Sequence, residues 1–135
     1  MKEKEIISKY LGIPYKHMGR TMESFDCWGF ILSMYKDMGY KLWDIGEDYE
    51  IGWSKKGRNY FLENYYKEWK RVGMPNFLDV ILFLNDKGIA HHAGIYLSHG
   101  KFIHCCRVGV VISRLSDTCW KNKVEGFYRL NAKEN

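Results

Sequence analysis

Hydrophobic and polar positions fall into two textures along this chain. Before residue 40 the apolar residues recur at helical spacing, and after residue 69 they come in short runs broken by turn residues. Ile6, Ile7 and Tyr10 mark a helix over residues 2–10, stopped by Gly12 and then Pro14. Cys27, Phe30, Ile31, Met34 and Met38 share one helical face over residues 27–38, with Asp26 placed as N-cap and Gly39 closing the run. Residues 40–77 carry an acidic patch (Asp44, Glu47, Asp48, Glu50) and an aromatic-rich helix expected near 58–68, which shapes a groove or packs on the core. The expected strands are Trp69–Val72, Asp79–Leu84, Ala90–Leu97, Lys101–His104, Val110–Leu115 and Gly126–Leu130. Gly73, Asn85-Asp86-Lys87-Gly88, Ser98-His99-Gly100 and Gly109 punctuate them. Helices followed by an antiparallel meander predict an α+β fold, with N-terminal helices packed on the sheet, in one domain over residues 1–135.

Composition narrows the function classes. A chain of 135 residues, 46% hydrophobic and 16% aromatic, can bury a core without staples. No run approaches the roughly 20 apolar residues that span a bilayer, so membrane insertion is not expected. The start, Met1-Lys2-Glu3-Lys4-Glu5, runs into Ile6 and Ile7 without an apolar leader core, so no signal peptide is expected. The net charge of +5 is dispersed rather than gathered in a stripe, which argues against nucleic acid as a partner and suits an anionic polymer. The four cysteines are expected as free thiols, with Cys105 and Cys119 as small core residues.

The chemistry concentrates in Asp26-Cys27-Trp28-Gly29 and two later histidines, His92 and His104. A thiol in the first turn of a helix feels the positive end of the macrodipole, which favours the thiolate, and the unpartnered N–H groups there can hold an oxyanion. On a strand, His92, Gly94 and Tyr96 share one face while His91, Ala93 and Ile95 share the other, so one of the vicinal histidines faces the nucleophile. The interval from His92 to His104 suits a hairpin that sets them on neighbouring strands, one as base and one fixing its tautomer.

Gly12-Ile13-Pro14-Tyr15, Phe25-Asp26-Cys27-Trp28-Gly29, Asp79-Val80-Ile81-Leu82-Phe83, His92-Ala93-Gly94-Ile95-Tyr96 and Gly100-Lys101-Phe102-Ile103-His104 follow one another in a telling order. With them the chain resembles the NlpC/P60-type bacterial cell-wall cysteine peptidases, which have a papain-like core. The resemblance implies Cys27 as nucleophile, His92 as general base, His104 as the residue orienting the imidazole, and Tyr15 as a hydroxyl assisting the oxyanion hole. It implies acyl transfer on peptidoglycan stem peptides, often between γ-linked D-glutamate and the next diamino acid, with no cofactor and no metal. Two positions depart from the family pattern. Trp28 stands where serine is usual, and this D-C-W-G version resembles the branch associated with phage tails and phage-like particles, which implies tail proteins as partners. Leu78 replaces the usual glycine before Asp79, so the turn entering that strand is expected to differ.

Other readings stay open on the residues alone. His92, His104 and Cys106 could share a face as three zinc ligands. A wall-binding or tail-structural module could retain the fold without activity, and amidase, transpeptidase-like and lipid-linked acyl transfers use the same three residues. The oligomeric state is not legible.

Overall fold

A computed structural model describes residues 2–42 and 69–131. The acidic patch and the helix expected near 58–68 lie outside the described residues. Helix α1 (Glu3–Tyr10) buries Ile6 and Tyr10, and the Glu5 carboxylate accepts the Lys2 N–H at 2.6 Å to close its first turn. The chain leaves α1 through Gly12, whose φ of +91° takes it into the left-handed region. A hairpin of two short strands, β1 (Arg20–Thr21) and β2 (Ser24–Phe25), precedes helix α2 (Cys27–Asp37).

Six strands then form one antiparallel sheet: β3 (Trp69–Val72), β4 (Val80–Leu84), β5 (Ala90–Tyr96), β6 (Lys101–Cys106), β7 (Gly109–Arg114) and β8 (Val124–Leu130). Its spatial order is β3-β8-β4-β5-β6-β7. The expected meander therefore holds only from β4 to β7; β8 returns across the sheet and inserts between β3 and β4. β4 lies between β8 and β5 with both faces covered, which is why Val80 to Phe83 form an unbroken buried apolar run.

The two faces of the sheet bury different things. One packs Val80, Leu82, Ala93, Ile95, Ile103 and Cys105 against the apolar side of α1 and α2, including Trp28, Phe30, Ile31 and Met34. The other gathers Ile81, Phe83 and Phe102 beneath Trp120. The result is an α+β fold, helices first, whose start of α2 is pinned to β5 and β6.

One expectation about the cysteines is corrected, and the entry to β4 has its own geometry. Cys105 is buried as expected, but Cys119 is exposed, because the 116–123 connection lies outside the sheet. Leu78 takes a φ of +80°, a left-handed conformation that a glycine adopts freely and a leucine adopts with strain. The Leu78 N–H donates to the Tyr96 carbonyl at 2.9 Å, and the Leu78 carbonyl accepts from the Tyr35 hydroxyl. Asp79 beside it accepts two bonds from Arg129, at 3.0 and 2.7 Å, which ties the start of β4 to β8.

Candidate active site

Asp26 organises the start of α2. One carboxylate oxygen accepts the Gly29 N–H and the Arg20 guanidinium, each at 2.8 Å, and the other accepts the Met18 N–H at 3.1 Å. Asp26 is 4% exposed, so it caps the helix and anchors the preceding loop inside the protein. Gly29 is required by packing: a Cβ there would stand 2.1 Å from the Gly19 carbonyl oxygen. Trp28 is fully buried in the helix-facing core. The D-C-W-G run thus consists of a cap, a thiol, a core anchor and a contact glycine.

Cys27 faces β5, where the Ala93 N–H points at its sulfur. Burial, then the Asp26 carboxylate, push the thiol up to about 12, against which the Ala93 N–H and Arg20 pull weakly. The expectation of a thiolate stabilised by the helix dipole is therefore corrected. In a site this dry, loss of water outweighs a half-charge at the helix end, and the capping carboxylate adds repulsion.

The two histidines meet between β5 and β6. His92 Nε2 and His104 Nδ1 are 2.8 Å apart, and His104 Nε2 reaches the Ser113 hydroxyl on β7 at 3.0 Å. Gly94 permits this approach, since a Cβ there would press on the Cβ of His104 and the ring of Phe102, both at 3.1 Å. Burial holds both imidazoles neutral: His104 falls to about 4, and His92 drops well below its ordinary value, helped by the neighbouring His104 and His91. Trp120 stacks on His92 with ring centroids 5.5 Å apart and meets His104 edge-on at 5.1 Å.

Strict alternation along β5 would put His91 on the face that carries Ala93. Instead the β4–β5 register slips: Phe83 pairs with His92 and Leu84 with Ala90, leaving His91 as the extra residue of a bulge. Its ring turns to the Phe83 carbonyl at 3.3 Å.

Tyr15 lies on the approach to α2, bridged in parallel to Phe25 and 38% exposed. Burial, followed by the nearby Asp26 and Cys27, raises its pKa, so the hydroxyl keeps its proton as a donor. The structure thus brings His92 and His104 into direct contact, sets Cys27 one residue along β5 from His92, and places Tyr15 within electrostatic reach of Cys27. Ser113 and Trp120 were not singled out from the sequence; nothing in their spacing marks them, because both come to the site through strand pairing and loop packing. Among the described residues no group of three His, Cys, Asp or Glu side chains is arranged to hold a metal ion, and Cys106 turns to the Gly109 carbonyl.

An α+β fold thus carries a helix-start thiol against β5 and a pair of hydrogen-bonded imidazoles on β5 and β6, a nucleophile type and a base type of the kind acyl transfer draws on. Residues 12–129 match the NlpC/P60 family, and the chain belongs to it. The chain is 31% identical to the probable peptidoglycan endopeptidase LytE of Bacillus subtilis, covering 88% of this chain and 31% of that protein. It is 29% identical to the γ-D-glutamyl-L-lysine dipeptidyl-peptidase of the same organism, covering 85% of this chain and 36% of the relative. It thus spans about a third of the length of these relatives. Among solved structures, an NlpC/P60 family protein from Bacillus cereus superposes with a TM-score of 0.69 at 24% identity, over 93% of this chain and 39% of that one. The NlpC/P60 domain of the peptidoglycan hydrolase SagA gives 0.60 at 21% identity, over 93% and 94%.

Proposed function

We propose that this protein is a cysteine endopeptidase acting on the stem peptides of bacterial peptidoglycan, at the γ-D-glutamyl linkage. The observation that carries the reading is the His92–His104 contact at 2.8 Å on a strand whose next amide points at the Cys27 sulfur. Family membership supports the reaction class, and a relative named for a γ-D-glutamyl-L-lysine bond supports the linkage.

The resting pair is a neutral thiol and a neutral imidazole, so the proton moves as the bond forms. Cys27 Sγ attacks the carbonyl carbon while its proton passes to His92 Nδ1, the ring nitrogen that His104 does not engage. The carbonyl oxygen becomes an oxyanion, held by the Cys27 N–H at the first turn of α2 and by the Tyr15 hydroxyl. Collapse breaks the C–N bond, and the His92 proton goes to the leaving amine. His92 then takes a proton from water, which attacks the thioester carbon; the C–S bond breaks, the acid leaves, and His92 returns its proton to the Cys27 sulfur. His104 accepts from His92 Nε2–H throughout and so stabilises the imidazolium when it forms. Delivery as a component of a phage tail or phage-like particle belongs to this proposal through the D-C-W-G variant, with tail proteins as partners.

The test incubates wild-type protein and Cys27→Ala with isolated sacculi and reads the soluble products by mass spectrometry. Fragments ending in γ-linked D-glutamate, from wild type alone, are expected. No fragments from either protein, across walls of different diamino acids, would leave a wall-binding or structural module as the reading.

A further inference from the structure

The hydrogen-bonded row that starts at His92 does not stop at His104. Its last member, Ser113, has no part in the reaction as written. Ser113 sits opposite Phe102 in the β6–β7 ladder, diagonal to His104, which pairs with Val111. His104 has no exposed surface, whereas Ser113 is only partly buried. We propose that Ser113 is a positioning residue that keeps the histidine pair in the tautomer able to take a proton from Cys27; this rests on the peptidase reading.

To accept at Nδ1, neutral His92 must carry its proton on Nε2. That N–H donates to His104 Nδ1, which must then be a bare lone pair, so His104 carries its own proton on Nε2. The Ser113 oxygen, 3.0 Å away, is the acceptor for that last N–H, and the serine's own O–H can turn to water.

Without the hydroxyl, a fully buried N–H would be orphaned. A bare ring nitrogen is easier to leave unpartnered than an N–H. The His104 proton would therefore move to Nδ1 and reverse the central bond, donating to His92 Nε2. His92 would then hold its proton on Nδ1, in the position that must be empty for Cys27. One missing hydroxyl thus disables a base two residues removed from it, with no change in fold.

The experiment is ¹⁵N NMR of histidine-labelled full chain at neutral pH without substrate, where the two ring nitrogens of each imidazole separate by protonation. Wild type, Ser113→Thr and Ser113→Asp are expected to show both His92 and His104 protonated on Nε2. The aspartate is acceptor-only and holds the same tautomer. Ser113→Ala is expected to move both protons to Nδ1. On sacculi, kcat should fall about 10-fold or more in Ser113→Ala with KM unchanged, within the range general-base catalysis supplies, and should return in Ser113→Thr. Unchanged tautomers in Ser113→Ala, or swapped ones in Ser113→Asp, would overturn the proposal. Because the nitrogen shifts need no substrate, a swap seen in a protein whose wild type cuts nothing sinks the peptidase reading and leaves the tautomer assignment standing.

Discussion

Cys27 and the His92–His104 pair press on the same strand, yet they are held there in contrasting ways. Cys27 is placed by its own neighbourhood: Asp26 caps the helix one residue earlier, and Gly29 lets the helix start lie against Gly19. The histidines are placed by the pairing of β5 with β6 through Ile95 and Ile103, by Gly94 beneath them, and by the aromatic rings of Phe83, Phe102 and Trp120 around them. Burial acts on both with one result. It lifts the thiol to about 12 and lowers His104 to about 4, so each side rests uncharged. What separates them is redundancy. The histidine side is held by several aromatic rings, while the cysteine side depends on one short turn in which Gly29 leaves no room for a Cβ.

The largest effect is expected where that turn is disturbed. Gly29→Ala would force a Cβ into the Gly19 carbonyl, and backbone offers no rotamer escape. We expect a loss of roughly 3 kcal/mol or more, at the high end for single substitutions, read as a fall in Tm. An unchanged Tm would mean that the cysteine side is no more brittle than the other. Next comes Trp120→Ala, which strips one support from the histidine side. A cost of about 1–3 kcal/mol is expected for a partly exposed ring, together with a His104 titration midpoint that climbs from about 4 as water enters. A midpoint that stays put would show that Phe102 and Phe83 already suffice.

Stability also depends on pH, and the sign of that dependence differs between the two sides. His104 and His92 titrate below their ordinary 6.5 when folded, so the unfolded chain binds more protons in that interval. Their contribution is complete above pH 6.5 and is lost as pH falls toward 4. Cys27 titrates above its ordinary 9.0, so its contribution is complete below that and is lost as pH rises toward 12. Cys105, also pushed up to about 12 by burial, adds to the same alkaline decline. Cys27→Ala should therefore flatten the alkaline limb of a Tm–pH curve and leave the acid limb alone. Flattening of the acid limb instead would contradict the separation of the two sides.

A good deal of this was legible along the chain. The 3.6-residue spacing from Cys27 onward located α2 almost to its ends, and the punctuating glycines located the six strands to within a residue or two. The two-residue strands β1 and β2 escaped because so short a run has no period to detect. The insertion of β8 between β3 and β4 escaped because pairing partners are not written into a strand's own alternation. Cys119 was misjudged for a related reason: composition says that cysteines prefer the interior, but only the path of the 116–123 connection says which one is left outside.

The sequence by itself determined the α+β class, the thiol at the start of a helix and the two histidines on neighbouring strands. Those are properties of local periodicity, caps and turns, each carried by residues close together in the chain. Only the tertiary structure decided that the thiol rests protonated, that a bulge leaves His91 bonded to the Phe83 carbonyl, and that Ser113 and Trp120 complete the histidine side. Protonation follows from how much water is excluded, and hydrogen-bond partners from which strands come to lie together. Both are set by distant parts of the chain packing at once, so no local stretch of residues encodes them.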